Sequence, residues 1–160
     1  MGEKGRAVSG AIVFVVLVFA VAAAGSLATG RSVEGWYDQL AKPSWTPPGW
    51  LFGPVWTVLY LMMAAAAWAV WWRKGLRGAR LPLGLWLGQL LLNGAWSVIF
   101  FGLHQPGWAL AELVVLWGAI LATLVAFWRV VPVAGWLMLP YQLWVTFAGA
   151  LNFAIWRLNA

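Results

Sequence analysis

Five apolar stretches decide what this chain can fold into. They run from about Ala7 to Thr29, Trp50 to Trp72, Leu81 to Leu103, Gly107 to Trp128 and Val133 to Arg157. A helix crossing a ~30 Å hydrocarbon core needs about 20 apolar residues, so each stretch is long enough to span a bilayer. Inside a bilayer every backbone N–H and C=O must find its partner within the protein, which makes helices the expected structure. The connections are short except the first, residues 30–49, so little of the 160-residue chain is left for a domain outside the membrane. Residues 1–160 therefore read as one all-α integral membrane domain, a bundle of five transmembrane helices. The 64% hydrophobic and 9% charged composition lies outside the soluble globular range.

The first stretch has a second reading. Lys4 and Arg6, an apolar run and then Ala22-Ala23-Ala24-Gly25-Ser26 also fit a secretory leader. Its apolar run is long for a leader, and we count it as the first span. The net charge of +6 suggests nucleic acid by arithmetic alone. The basic residues, however, sit at the ends of the spans, where they set topology and meet lipid headgroups. Nucleic acid is therefore not an expected partner. Lys4, Arg6, Arg73, Lys74, Arg77, Arg80 and Arg129 fall on one side of a five-span bundle, and Arg31, Lys42 and Arg157 on the other. That asymmetry places the N-terminus in the cytoplasm if the membrane is an inner one. The basic run from Arg73 to Arg80 reads as a solvated loop between the second and third spans.

Fifteen tryptophans accompany no cysteine and one histidine. Disulfides, thiolate metal sites and cysteine nucleophiles are excluded. Indoles suit membrane interfaces and flat aromatic ligands. Trp68, Trp71, Trp72, Trp108, Trp128 and Trp136 lie near span ends and read as interface anchors. The first connection is too aromatic for a solvent loop: Trp36, Tyr37, Trp45 and Trp50 accompany Pro43, Pro47 and Pro48. Composition leaves two readings of it, an aromatic belt and a structured lid over a pocket. Asp38 and Lys42 are spaced to pair if a helical turn forms between them. Pro54 is expected to kink or widen the start of the second helix, and Trp56 and Tyr60 share one of its faces.

Within the third span Gln89, Asn93, Trp96 and Phe100 follow helical spacing. Amides in hydrocarbon require partners, so this stripe should face the bundle interior, as interhelical glue or as ligand contacts. The fifth span has a matching face of Tyr141, Trp144, Ala148, Leu151 and Ile155, with Asn152 beside it. Large aromatics beside small residues at mid-depth fit a cleft for a flat ligand, and fit core packing nearly as well. Glu112 is the one acid well inside a span, with structural and ligand- or proton-coupled readings both open. Gly84 and Gly88 form a small-xxx-small pair that suggests a homodimer face on the third helix. His104 stands in a short loop and reads as solvated. No second imidazole or thiolate accompanies it, so no metal site is expected, and no Ser-His-Asp set or phosphate loop is present.

Three blocks carry a family resemblance. They are W-Y-D-Q-L-A-K-P-S-W-T-P-P-G-W-L-F-G-P-V-W-T-V-L-Y from Trp36 to Tyr60; Q-L-L-L-N-G-A-W-S-V-I-F-F from Gln89 to Phe101 with G-W-A-L-A-E-L from Gly107; and P-Y-Q-L-W-V-T-F-A-G-A-L-N-F-A-I-W-R-L-N from Pro140 to Asn159. Together they resemble the translocator protein family, also called the TspO/MBR, tryptophan-rich sensory or peripheral-type benzodiazepine receptor family. The resemblance implies a five-helix bundle, usually a homodimer. It also implies a pocket under the first loop for porphyrins and synthetic aromatic ligands, with no obligatory cofactor. By motif, Tyr37, Pro47, Trp56, Asn93, Trp96, Trp144, Ala148 and Leu151 are expected to line that pocket, with Tyr60 beside them. Some bacterial relatives are reported to degrade porphyrin in light, and the matching indoles here are Trp56 and Trp144. Eukaryotic relatives bind cholesterol at the end of the fifth helix. In the corresponding stretch from Leu151 to Arg157, Phe153 stands where the sterol motif has tyrosine. The aromatic composition fits a bacterial member in the cell membrane. Three functions follow as expectations: a porphyrin-binding sensor, a light- and oxygen-dependent porphyrin-degrading enzyme, and a porphyrin or sterol transporter.

Overall fold

The computed structural model describes residues 2–160, and the side chains of all of them except Arg31, Val33 and Glu34. The described chain is helical almost throughout, with no strand. Its α-helices are α1 (Glu3–Ser32), α2 (Gly49–Gly78), α3 (Arg80–Ser97), α4 (Pro106–Val130) and α5 (Pro132–Asn159). α1 and α3 each run on into a π-helical turn, Val33–Tyr37 and Val98–Gly102. α1, α2, α4 and α3 with its π-helical turn are long and apolar enough to cross a membrane. α5 matches them in length, but Tyr141, Gln142, Asn152 and its tryptophans lower its hydropathy.

The helices overrun the lengths expected from apolarity alone. Helical winding in α1 and its extension reaches Gln39, so the first connection outside helix is Leu40–Pro48. The basic run after Trp72 is not a loop. α2 continues through it with a break at Gly75, whose φ of 66° and ψ of 173° lie outside the helical region. Glycine takes that positive φ without a Cβ clash. The sharp reversal therefore needs almost no connecting chain, and Ala79 alone separates α2 from α3. Pro54 sits in the first turns of α2 without producing a π-helical turn there. Pro106 and Pro132 stand at the first positions of α4 and α5, where a missing N–H costs no hydrogen bond.

The helices close into a ring: α1 packs on α2 and α3, α3 on α4, α4 on α5, and α5 on α2. Two close approaches fix it. Trp71 of α2 lies against Gly10 of α1, where a Cβ would run into the indole. Trp68 Nε1 donates to Ala7 O at 3.0 Å across the same pair, and Arg6 lies over the Trp71 ring, 5.3 Å from its centroid. At the α4–α5 turn, Trp128 and Trp136 pair at 4.6 Å. A Cβ on Gly135 would stand 2.6 Å from Trp128 Cε3. Several span-end tryptophans are thus wedges between helices as well as interface residues. Trp86 is fully packed, edge-on to Phe14 at 5.5 Å. Gly135→Val should destabilise the bundle by about 1–3 kcal/mol, the usual cost of overpacking, read as a lower midpoint of thermal unfolding in detergent.

Candidate functional site

The lid-side half of the ring encloses a cavity of about 650 Å³. α2 contributes Phe52, Trp56 and Tyr60, α3 contributes Asn93 and Trp96 and its π-helical turn Phe100, and α5 contributes Trp144, Ala148 and Leu151. Helical spacing explains the selection. On each helix the residues one turn apart fall on one face, and that face meets the ring's interior. Trp56 lies 5.5 Å from the Tyr60 ring and edge-on to Tyr141 at 6.1 Å. Trp144 is braced by Phe52 at 5.9 Å and Phe147 at 5.5 Å. Trp96 stacks on Phe100 at 5.2 Å.

Four polar side chains of this wall are tied into two hydrogen-bonded sets: Tyr60 with Asn93, and Trp96 with Asn152. Tyr60 Oη donates to Asn93 Oδ1 at 2.6 Å, and Asn93 Nδ2 donates to Tyr141 Oη at 3.0 Å. One amide thereby joins α2, α3 and α5. Trp96 Nε1 donates to Asn152 Oδ1 at 3.1 Å, and Asn152 Nδ2 donates to Pro106 O at 2.8 Å, which ties α3 to α5 and to the start of α4. Among the described residues, no acceptor receives the indole N–H of Trp56 or Trp144. Both remain as donors near the cavity wall.

The first connection is fastened to α5 beside the cavity, and we call it the lid. Asn159 at the end of α5 pairs with the backbone of Ala41 in both directions: its Oδ1 accepts from Ala41 N at 3.0 Å, and its Nδ2 donates to Ala41 O at 2.9 Å. Trp45 packs edge-on to Phe147 at 5.8 Å. Tyr37 leans on Phe100 and Phe101, and burial pushes its phenol above the ordinary range, with the Asp38 charge adding to the shift. Lys42 sits over the Tyr37 ring, 4.8 Å from its centroid. Its Nζ donates to the backbone oxygens of Asp38 and Leu40 at 3.2 and 3.4 Å. The contact between Asp38 and Lys42 is therefore made through a carbonyl, because the lysine turns back across the tyrosine. Asn159→Ala should loosen the lid by about 1–2 kcal/mol, the scale of two modest hydrogen bonds, measured as faster hydrogen exchange at the Ala41 amide with little change in global unfolding.

The profile of the TspO/MBR family matches residues 14–157. The chain is 45% identical to protein CrtK of Rhodobacter capsulatus over 91% of its length and 92% of that protein's. It is 46% identical to the human translocator protein over 84% of its length and 83% of that protein's. The tryptophan-rich protein TspO of Chlorobaculum tepidum shares 44% identity over 89% and 91%. This chain belongs to the TspO/MBR family. With its long apolar helices, family membership makes it an integral membrane protein.

Against that family pattern, Tyr37, Trp56, Tyr60, Asn93, Trp96, Trp144, Ala148 and Leu151 all come together on the cavity wall. Pro47 does not. It lies in the lid beyond a turn in which Thr46 N and Oγ1 both bond Pro43 O at 3.0 and 2.8 Å. Leu151 faces the cavity while Phe153 and Arg157 stand on the exposed face of α5. The sterol-motif positions are thus split between two faces of the helix. Gly84 and Gly88 line a shallow groove on the outside of α3, with Arg80, Leu92 and Ala119 of α4 around it. A Cβ on either glycine would meet nothing within 4 Å. Gln89 shares the buried stripe but not the cavity; its Nε2 contacts Met63 Sδ at 3.8 Å.

One further expectation changes, and Glu112 keeps both of its readings. His104 is exposed yet engaged: it stacks on Trp36 at 4.3 Å, and its Nε2 lies 3.1 Å from Ser32 Oγ. Since Ser32 Oγ already donates to Phe101 O, the imidazole is the donor to it. Both carboxylate oxygens of Glu112 are buried without a partner among the described residues, outside the cavity lining. No cluster of metal-binding side chains occurs among the described residues. Sequence reasoning missed the wall contributed by α1: Phe19, Ala22, Ala23, Ser26 and Thr29 all line the cavity. The one signal was the small-residue run from Ala22 to Ser26, which also fits a leader.

Proposed function

We propose that this TspO/MBR protein is a membrane receptor that binds a porphyrin, or a similarly flat aromatic or lipid-like ligand, inside the bundle beneath the lid. The observation that carries this reading is the cavity walled by Trp56, Trp96 and Trp144. Its volume falls within the range typical of small-molecule sites, roughly 300–1,000 Å³. Flat π-faces favour offset or edge-on packing with other rings. Asn93 and the unpartnered indole donors near Trp56 and Trp144 supply the few polar contacts that would orient a ligand's edge. A tetrapyrrole is a ligand in this reading, and no cofactor is required.

The reading includes a topology. α5 serves as the fifth span: its 28 residues reach ~42 Å at 1.5 Å per residue, and it packs along α4. Residues 1–160 then form a single transmembrane domain in a bacterial cell membrane, with the N-terminus cytoplasmic. The open Gly84–Gly88 groove on α3 supports a homodimer through that helix. The displaced sterol-motif positions give cholesterol no comparable support. The direct test is titration of the purified protein with protoporphyrin IX while tryptophan fluorescence is followed. Saturable quenching is expected, and quenching that never saturates would remove the site.

One observation favours an enzymatic extension. Trp56 is in ring contact with both Tyr60 and Tyr141, so an oxidised indole would have oxidisable neighbours. Light and oxygen acting on bound porphyrin would then yield a degraded product. Illuminating the complex in oxygen should give new absorption bands that disappear in Trp56→Phe plus Trp144→Phe; bands that survive the pair sink the indole route. Porphyrin or sterol transport gains no specific support from the bundle's geometry.

A further inference from the structure

We infer that the ligand reaches the cavity sideways from the bilayer, through a slot between α1 and α2 on the lid-side half of the bundle, and not through the lid. This rests on the binding reading above and concerns how that site is loaded.

Seven residues carry the inference because they line the cavity and are also exposed, and all of them lie on these two helices. They are Phe19, Ala23, Ser26 and Gly30 on α1, and Gly49, Gly53 and Thr57 on α2. A wall residue that is also on the surface marks a place where the wall is open. Apart from Phe19 at its inner end these residues are small, so among the described residues neither helix fills the gap with a large side chain. A Cβ built on Gly49 or Gly53 would find no atom within 4 Å. The opening has a definite floor, where Phe19 of α1 meets Tyr60 of α2 at 6.3 Å. Beyond that floor the same two helices are clamped by Gly10 against Trp71 and by the bond from Trp68 to Ala7.

The rim is suited to lipid. Leu27, Trp50 and Val58 flank the slot and are more than half exposed. Thr57 Oγ1 donates to Gly53 O and Thr29 Oγ1 to Gly25 O, each at 2.9 Å. Both hydroxyls are thereby returned to their own helices, and the passage presents mostly hydrocarbon. An apolar plate already dissolved in the membrane meets this mouth without crossing water. The lid route is costlier: it would break both bonds between Asn159 and Ala41 and separate Trp45 from Phe147. The slot also lies on a different face from the Gly84–Gly88 groove, so a second copy docked there would leave it open.

The chain has no cysteine, so introduced thiols are unique labels. Ser26→Cys plus Gly53→Cys, reconstituted in nanodiscs, can be bridged by bifunctional methanethiosulfonates of graded length and released with reductant. Protoporphyrin IX delivered from vesicles would be followed by stopped-flow tryptophan quenching on the same sample, bridged and then reduced. Bridging should slow both association and dissociation by at least about tenfold relative to the reduced sample. Reduction should restore both rates, which shows that the variant is folded. Asn159→Ala, which loosens the lid, should leave both rates as they are. Saturable quenching with rates indifferent to the bridge and accelerated by Asn159→Ala would overturn the lateral route in favour of the lid. No saturable quenching in the unmodified protein would overturn the binding reading itself, and the route with it.

Discussion

Asn93→Leu is expected to cost the bundle about 1–4 kcal/mol and to weaken ligand quenching. Asn93 is buried and serves two phenols on two other helices, accepting from Tyr60 and donating to Tyr141. Leucine has a similar size but no polar atoms, so the shape is roughly kept and both hydrogen bonds are lost. Interhelical hydrogen bonds in membranes average only about 0.6 kcal/mol each, which sets the lower end of the range. A buried polar group left unsatisfied costs about 1–3 kcal/mol, and here two phenols are stranded, which carries the cost above that floor. Tyr60→Phe should cost less, because it removes one bond and leaves Asn93 with Tyr141. In the Tyr60→Phe background, Asn93→Leu should then cost less than it does alone, since one stranded phenol is already gone. Unfolding by denaturing detergent would measure all three variants. Additive losses would show that the three side chains are neighbours without being a network.

How far the molecule was legible depended on whether a residue stood out against apolar surroundings. Gln89, Asn93 and Asn152 did, because an amide in hydrocarbon must find a partner, and each lies buried in the bundle. The α5 face from Trp144 to Leu151 was legible for a related reason: large and small residues alternate there at helical spacing. The α1 wall was not, because alanine and glycine have no bulk or polarity to mark a face. Tryptophan position along a span carried no sign of a packing role. Trp71 and Trp128 sit near span ends, as belt residues do, yet each rests on a glycine, Gly10 distant in sequence and Gly135 across a turn. Such pairings are tertiary facts with no local sign. The same holds for Asn159, a polar residue near the chain end whose tie to Ala41 joins positions 118 apart. The overrun of α1 past residue 30 was hidden because Arg31, Ser32 and Glu34 look like loop, whereas polar residues at a helix end are tolerated once the chain has left the hydrocarbon.

Ala148→Leu should lower porphyrin affinity by about 10- to 100-fold, or roughly 1.4–2.8 kcal/mol, with little loss of stability. Ala148 stands one turn beyond Trp144 and just before Leu151, at the part of the α5 face where the wall is lowest. A leucine there would extend into empty volume, so the protein need not shift to accept it, unlike a substitution at Gly135. The ligand, by contrast, would lose the space beside the Trp144 ring and would have to tilt away or displace that indole from between Phe52 and Phe147. Misfit of this kind in a packed site costs about 1–3 kcal/mol, which matches the predicted fall. Ala150→Leu makes the same chemical change on the exposed face of α5 and should leave affinity unaltered. Ala148→Gly should bind at least as well as the parent, because it only enlarges the cleft. Fluorescence titrations of the three variants separate the alternatives: equal affinity in Ala148→Leu would take this face of α5 out of the site, whereas a loss shared by Ala150→Leu would point to helix packing instead of the cavity.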